Sequence, residues 1–372
     1  MLKRPLLPSH YAIWFDPPDA SGDEVLRIVS EQRTLKLKGY AFREFAERVL
    51  PLLDGTRSAE EIQAATADVF RPEDLAECLA LLEAQGILVD APNGAGVEDD
   101  GRRTPQLNLF SEVAPGEDLQ ARLASATVAV IGLGGAGPVG AAALAAAGVG
   151  TLRLSDHLDV APADVYLAPA LGLDAVGSGR AARVAALVEA AAPDVTVRPR
   201  AEAVEGEDDL RAVVAGCDYV ACCLDPSQSN LAFKLNRVCL ADGIRWISCA
   251  LAGAEIVAGP AVHPPHSACY MCYRMRAVAC AGNPEDAFAH ERYLDRRRAD
   301  DSATRENLTF GAGIAGNLVA NEIVKALAGL AEPSLVGRLL TLRLTDLEAE
   351  RHTVLRKPGC PACFPEQDGD GG

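Results

Sequence analysis

Any fold open to this chain must bring together two short segments that lie far apart in its sequence. Cys269-Tyr-Met-Cys272 and Cys360-Pro-Ala-Cys363 each hold two cysteines at the spacing of a metal-binding turn. Two such pairs supply the four sulfurs of a tetrahedral tetrathiolate zinc site. No position is left for water, so the ion read here is structural and not catalytic. Chance spacing and a pair of disulfides are the competing readings, although two pairs are far more specific than one. A zinc on Cys269, Cys272, Cys360 and Cys363 would fasten a late segment back onto the body of a domain.

A chain of 372 residues has room for two or three domains. Its net charge of −17 and pI near 4.8 exclude a general nucleic-acid binder, which needs a basic face. Cys78, Cys217, Cys222, Cys223, Cys239, Cys249 and Cys280 fall mostly in apolar runs and read as small buried hydrophobes. With a short basic N-terminus and no signal peptide, they point to a reducing cytoplasm. The run from Val128 to Gly150 is apolar enough to raise the question of a membrane span. Its seven glycines and one proline break it into strand, turn and helix, so no membrane segment is expected.

Gly, Pro, Asp and Glu crowd the stretch up to Asp118 without an apolar period. It reads as a linker, residues 93–118, between a module at 1–92 and a larger domain at 119–372. The module opens with extended stretches at Tyr11–Phe15, Val25–Val29 and Thr34–Lys38. The last alternates strictly, with Leu35 and Leu37 on one face and Thr34, Lys36 and Lys38 on the other. Three helices follow. Phe42, Phe45, Val49 and Leu52 stripe the first, Ser58 and Glu61 form a capping box for the second, and Leu75, Leu79 and Leu82 stripe the third. Gly86 ends the third helix, and Ile87-Leu88-Val89 returns as a short strand. Strands, three short helices and a closing strand describe a winged helix-turn-helix. Its third helix begins Pro72-Glu73-Asp74, acidic where a recognition helix would meet phosphate, so DNA readout is not expected.

This order of elements resembles the RiPP recognition element, the PqqD-like module that binds leader peptides. The resemblance rests on Leu52-Leu53-Asp54-Gly55-Thr56-Arg57-Ser58, Glu60-Glu61-Ile62 and Leu82-Glu83-Ala84-Gln85-Gly86-Ile87-Leu88-Val89. It implies β-augmentation, in which an extended leader adds a strand to a sheet edge beside a helix. The corresponding elements are Thr34, Leu35, Lys36, Leu37 and Lys38 on the strand, and Leu75, Leu79 and Leu82 on the helix Glu73–Gln85. The plainer reading makes Lys36 and Lys38 a solvated face.

In the larger domain, the strand Val128–Ile131 runs into Gly132-Leu133-Gly134-Gly135-Ala136-Gly137 and an Ala-rich helix. A second strand, Thr151–Ser155, ends at Asp156, the distance expected of a ribose-binding carboxylate. The pattern predicts a Rossmann-like α/β fold in which Gly132, Gly134, Gly135 and Gly137 let backbone N–H groups approach an anion. The same glycines also serve helix–strand packing alone.

From Leu119 to Phe364 the chain resembles the ThiF and ubiquitin-activating-enzyme superfamily, which adenylates carboxyl termini. The features are the glycine loop, Gly148-Val149-Gly150, Cys217-Asp218-Tyr219-Val220 and both cysteine pairs. Leu235–Cys239, Gly259–Val262, Ala268–Cys272 and Gly359–Cys363 look closer still to the Ocin-ThiF-like, or cyclodehydratase C-type, branch. That branch implies a precursor leader peptide as ligand, a YcaO-type cyclodehydratase as partner in azoline and azole formation, and a homodimer. Its adenylating relatives follow the second strand with an Asn-Leu-x-Arg-Gln segment. Here Asp164 stands for the Asn, Leu167 and Ala168 replace the Arg and Gln, and Arg180 falls at the family lysine. Adenylation needs cations and donors aimed at a triphosphate, and one such donor is worth about 3–4 kcal/mol. A vestigial site is therefore expected, with Asp156, Arg180 and Asp225 left over, ATP binding doubtful and no catalytic residue assigned.

Cys280 lies where related enzymes place a nucleophilic cysteine, without an evident base. His263 and His266 flank Pro264-Pro265 before the first cysteine pair and are expected to shape that loop. The polar segment Asn283–Asn307 reads as a mobile crossover loop. Two functions remain: a non-catalytic adaptor that presents a precursor to a YcaO enzyme, and an enzyme that adenylates a peptide carboxylate. A plain NAD-linked oxidoreductase leaves the cysteine pairs and the first module unexplained.

Overall fold

The structure, a computed structural model, describes residues 2–17, 24–39, 41–91, 101–115, 117–224, 229–296 and 307–364. The chain divides into two compact units, Met1–Leu119 and Gln120–Gly372.

In the first unit the extended stretches form β1 (Pro5–Leu6), β2 (Ala12–Phe15), β3 (Glu24–Val29) and β4 (Thr34–Gly39). Strands β2, β3 and β4 make an antiparallel sheet in that order. Alternation sets the faces of β4: Leu37 is buried, while Thr34, Lys36 and Lys38 are exposed. Then come α1 (Phe42–Arg48), α2 (Ala59–Ala65) and α3 (Pro72–Ala84). The capping box of α2 is formed: the Glu61 N–H donates to Ser58 Oγ at 3.2 Å and the Ser58 N–H to Glu61 Oε2 at 2.8 Å. After α3 the chain turns through Gly86 into β5 (Val89–Asp90), which pairs with β1. Phe45, Val49, Ile62, Leu75 and Leu82 close over Leu26, Ile28 and Leu37 of the sheet. Each such side chain contributes about 1.5–3 kcal/mol of transfer free energy.

The stretch read as a linker contains a helix, α4 (Thr104–Val113). Its apolar signal is weak because Phe110 is its one fully buried large hydrophobe, while Leu109 and Val113 are exposed. Polar contacts seat it instead. Arg33 donates through one guanidinium nitrogen to the Glu112 carbonyl and through another to that of Gln85. His10 Nε2 pairs with the buried Glu112 carboxylate. A fragment 1–92 lacks these partners, so it should melt about 4–8 °C below a fragment 1–118, the shift for each ~1 kcal/mol in a domain of this size. Equal melting temperatures by circular dichroism would show that α4 adds nothing.

The second unit runs α5 (Leu119–Ser125), β6 (Thr127–Ile131), α6 (Ala136–Ala146), β7 (Thr151–Ser155), α7 (Pro162–Leu167), α8 (Arg180–Ala191), β8 (Thr196–Arg200), α9 (Glu207–Val214) and β9 (Tyr219–Cys222). It continues with α10 (Ser229–Asp242), β10 (Arg245–Ala252), β11 (Glu255–Val262), α11 (Tyr270–Ala279), α12 (Pro284–Arg296), α13 (Thr309–Ala328), β12 (Arg338–Arg343) and β13 (Ala349–Thr353). Its eight strands lie in the order β13-β12-β11-β10-β9-β6-β7-β8. The five from β10 to β8 are parallel, and β11, β12 and β13 extend the sheet antiparallel. The chain winds from β6 out to β8, then returns to β9 on the other flank of β6. That reversal is the switch point at which open α/β sheets place ligands.

The apolar run 128–150 is β6, the glycine loop and α6. Among the described residues no helix is long and apolar enough to cross a membrane. The polar segment expected as a crossover loop is helical over Pro284–Arg296, where the Asn283 carboxamide oxygen accepts the Glu285 N–H at 3.1 Å. Residues 297–306 lie outside the described residues.

Candidate functional site

The glycine loop leaves β6 at the switch point. Gly132 has φ 89°, and a Cβ there would stand 2.6 Å from the Cys223 carbonyl oxygen at the end of β9. A Cβ on Gly137 would stand 2.0 Å from the Gly132 carbonyl oxygen. Both positions therefore require glycine for backbone packing, whatever the loop binds.

What covers the loop decides its chemistry. The Arg180 guanidinium lies over Gly134, with Nη1 only 3.0 Å from the place of a Cβ. Methyls of Leu167 and Leu251 reach 3.6 Å from the same point on Gly135. The Leu133 N–H, aimed into the loop, donates to Asp156 Oδ2 at 2.7 Å. An anion approaching this loop meets methyl groups and a donor already taken.

Arg180 itself is engaged. Its Nε and Nη2 donate to Asp164 Oδ2 at 2.8 Å and Oδ1 at 2.9 Å, a bidentate fork, and its Nη1 donates to Asp156 Oδ2 at 3.3 Å. Asp164 also caps α7, accepting the Ala161 N–H at 2.8 Å, and Asp156 Oδ1 accepts the Leu158 N–H at 2.9 Å. The relative exposures are 7% for Arg180, 8% for Asp156 and 5% for Asp164, so all three charges are desolvated and each depends on the others. Among the described residues, two carboxylates face this one guanidinium. Among the described residues, the crevice beside the loop, lined by Gly132, Asp156, His157, Glu202 and Leu224, holds about 20 Å³.

The structure thus gathers Gly132, Gly134, Gly135, Gly137, Asp156 and Arg180 in one place, as the sequence predicts. Arg180, expected as a remnant of a vestigial site, is buried on two carboxylates of its own chain. Asp164 is the residue that sequence reasoning undervalued. The signal was there in the double exchange, an acid for the family amide and an arginine for the family lysine. Asp225 lies outside the described residues.

The four-cysteine cluster forms where β11 leads into α11 and where the chain leaves β13. Sγ–Sγ distances are 3.8 Å for Cys269–Cys272, 3.8 Å for Cys269–Cys360 and 3.5 Å for Cys272–Cys363, and all four sulfurs lie within 4.8 Å of one another. A tetrahedron of sulfurs about 2.3 Å from a zinc ion has edges of about 3.8 Å, so the cluster fits that ion. Cys269, Cys272 and Cys360 are buried and Cys363 is half-buried. Burial pushes the Cys269 thiol up, and a cation among the sulfurs reverses that cost. The Lys357 N–H donates to Cys272 Sγ at 3.3 Å, and the Tyr270 N–H donates to the buried Asn236 Oδ1 at 3.0 Å. These bonds hold each turn in place.

His263 lies apart from the cluster. Its Nε2 bonds the Tyr219 hydroxyl at 3.0 Å, and burial together with Arg245 holds its pKa down to about 4. His266 is exposed, and Cys280 is an exposed residue at the end of α11.

Of the residues expected to meet a peptide, Thr34, Leu35, Lys36, Leu37 and Lys38 form β4, an edge strand among the described residues. Leu75 and Leu82 are 2% and 1% exposed, inside the core of the first unit, so no peptide reaches them. Leu79 is half-buried and borders a shallow groove with Leu2, Pro5, Ala76, Ala80 and Leu88.

The ThiF family model matches residues 104–362. The SAMP-activating enzyme E1 of Haloferax volcanii is 32% identical over 264 residues, covering 71% of this chain and 87% of its own length. The molybdopterin-synthase adenylyltransferase of Escherichia coli is 26% identical over 251 residues, covering 66% and 90%. The crystal structure of E. coli MccB with ATP superposes with a TM-score of 0.68 at 16% identity, over 97% of this chain and 99% of that one. The microcin C7 biosynthetic enzyme MccB in complex with N-formylated MccA gives 0.69 at 17% identity, over 96% and 99%. At such identities the likeness is one of fold, and it extends over both units.

Proposed function

This chain belongs to the ThiF family, and from that premise we propose that it is an adaptor rather than an adenylating enzyme. In this reading the first unit is a winged helix-turn-helix of the RiPP recognition type that captures the leader of a ribosomal precursor peptide. The second unit, working as a homodimer with a structural zinc on Cys269, Cys272, Cys360 and Cys363, presents the core peptide to a YcaO-type cyclodehydratase for azoline or azole formation.

The observation that carries the reading is the engagement of Arg180 by Asp164 and Asp156 over the glycine loop. Adenylation requires cations aimed at a triphosphate as its charge shifts, and here the cation is neutralised within the protein. A Leu167 methyl lies 3.6 Å from the place of a Cβ on Gly135, and the sequence resemblance puts an arginine of adenylating relatives at this residue. The leader would add a strand to β4, main-chain bonds supplying affinity and alternate side chains specificity.

The names of the curated relatives favour a second reading, adenylation of a peptide carboxylate. Exchange of labelled pyrophosphate into ATP separates the two. The purified protein, with or without a candidate precursor, should show exchange at background level. Exchange that appears with the peptide would make adenylation the better account.

A further inference from the structure

With zinc on Cys269, Cys272, Cys360 and Cys363, the reading on which this inference rests, all four sulfurs are thiolates, since a coordinating thiol is deprotonated outright. The thiolate is the form that attacks a peroxide, so the cluster holds four nucleophiles and access chooses among them. Cys269, Cys272 and Cys360 are buried, while Cys363 is half-buried. Pro361 and Phe364, close to it in the chain, are exposed. Arg356 Nη2 donates to the Cys363 carbonyl at 2.9 Å, which brings a cation to this open corner of the cluster. Cys363 is thus the thiolate that a small oxidant meets first.

A second sulfur is already within reach of it. Cys272 Sγ stands 3.5 Å from Cys363 Sγ, and the two residues are 91 apart in sequence. Closing that gap to the ~2.05 Å of a disulfide joins the turn beyond β13 to α11. Another close pair differs in kind. Cys223, just after β9, and Cys249 of β10 have their sulfurs 3.6 Å apart, but both are buried and lie outside the cluster. Contact with Cys249 and burial push the Cys223 thiol up, so it stays protonated and inert.

We propose that Cys363 is a peroxide-sensing thiolate and that its oxidation closes a Cys272–Cys363 disulfide, which expels the zinc while keeping the last segment tied to α11. The Cys363 sulfur attacks one oxygen of hydrogen peroxide, the O–O bond breaks, and hydroxide departs, leaving a sulfenic acid. The Cys272 thiolate then attacks that sulfur and a second hydroxide departs. Two thiolates lose two electrons to one peroxide, and the two hydroxides take protons from solvent. Cys269 and Cys360 alone do not make a closed four-ligand site, so the ion passes to a chelator in solution.

Full-length protein carrying Cys280→Ser, which removes an exposed thiol outside the cluster, tests this. Elemental analysis first establishes its zinc content. Hydrogen peroxide should then release that zinc to a chromogenic chelator. Peptide mapping without reductant should find Cys272 joined to Cys363, with Cys223 and Cys249 still free thiols. The oxidised protein should melt about 5–10 °C above protein stripped of zinc by chelator and kept reduced, because the bond closes a long loop. Cys363→His keeps a nitrogen ligand in a three-cysteine, one-histidine set and should hold its zinc through the same treatment. Where that variant does not load zinc, the peptide map of the parent decides. Zinc that stays bound in peroxide, a disulfide within either CxxC pair or between Cys223 and Cys249, or equal release from Cys363→His overturns the inference and leaves the structural zinc standing. Parent protein purified without zinc removes the premise, and the inference fails with it.

Discussion

Cys363→Ser is expected to empty the four-cysteine cluster and to lower the melting temperature of the full chain by about 10 °C. Among the described residues, the contacts that hold the segment beyond β13 include Val354 in the core with its N–H on the Gly337 carbonyl at 2.8 Å, the Arg276 Nε to Leu355 carbonyl bond at 3.0 Å, and the Lys357 N–H on Cys272. Structural zinc contributes roughly 10–16 kcal/mol in small zinc peptides. Here the second unit keeps its own core, so about 3–5 kcal/mol is expected, and each kcal/mol moves a domain of this size by ~2–4 °C. Elemental analysis should find one zinc per chain in the parent and much less in the variant, and a strong chelator should reproduce the shift in the parent. Metal-free parent protein with an unchanged melting point would remove zinc from the account.

Most of the fold was legible because local spacing determines it. Each cysteine pair fits a tight turn on its own, and the Ser58–Glu61 box and the Gly132–Gly137 loop need only nearby atoms. What escaped depends on where a side chain goes after folding. The leucine stripe of α3 announces one apolar face but not what covers it, and Leu75 and Leu82 proved to be core while Leu79 borders a groove. Helix α4 was hidden because a buried carboxylate and an arginine to backbone carbonyls hold it, with little help from apolar periodicity. Arg180 and Asp164 sit 16 residues apart on different helices, and no sequence period links them. Their joint departure from the family pattern was visible. Its meaning, one charge answering the other, needed the folded contact between Asp164 of α7 and Arg180 of α8.

That answering charge makes Arg180→Ala the substitution with the other large expected effect. It leaves Asp156 and Asp164 buried together without their common cation, and breaking a buried pair from one side costs about 3–5 kcal/mol. Denaturant unfolding should show this loss at pH 7 with the zinc content unchanged. Asp164→Asn keeps Arg180 on Asp156 and should cost less. Millimolar MgATP should shift the melting point of the parent by no measurable amount, because the loop is already occupied by the chain's own ions. A parent protein stabilised by MgATP would mean that the Arg180 fork opens for nucleotide, and the domain would have to be read again as an adenylating enzyme.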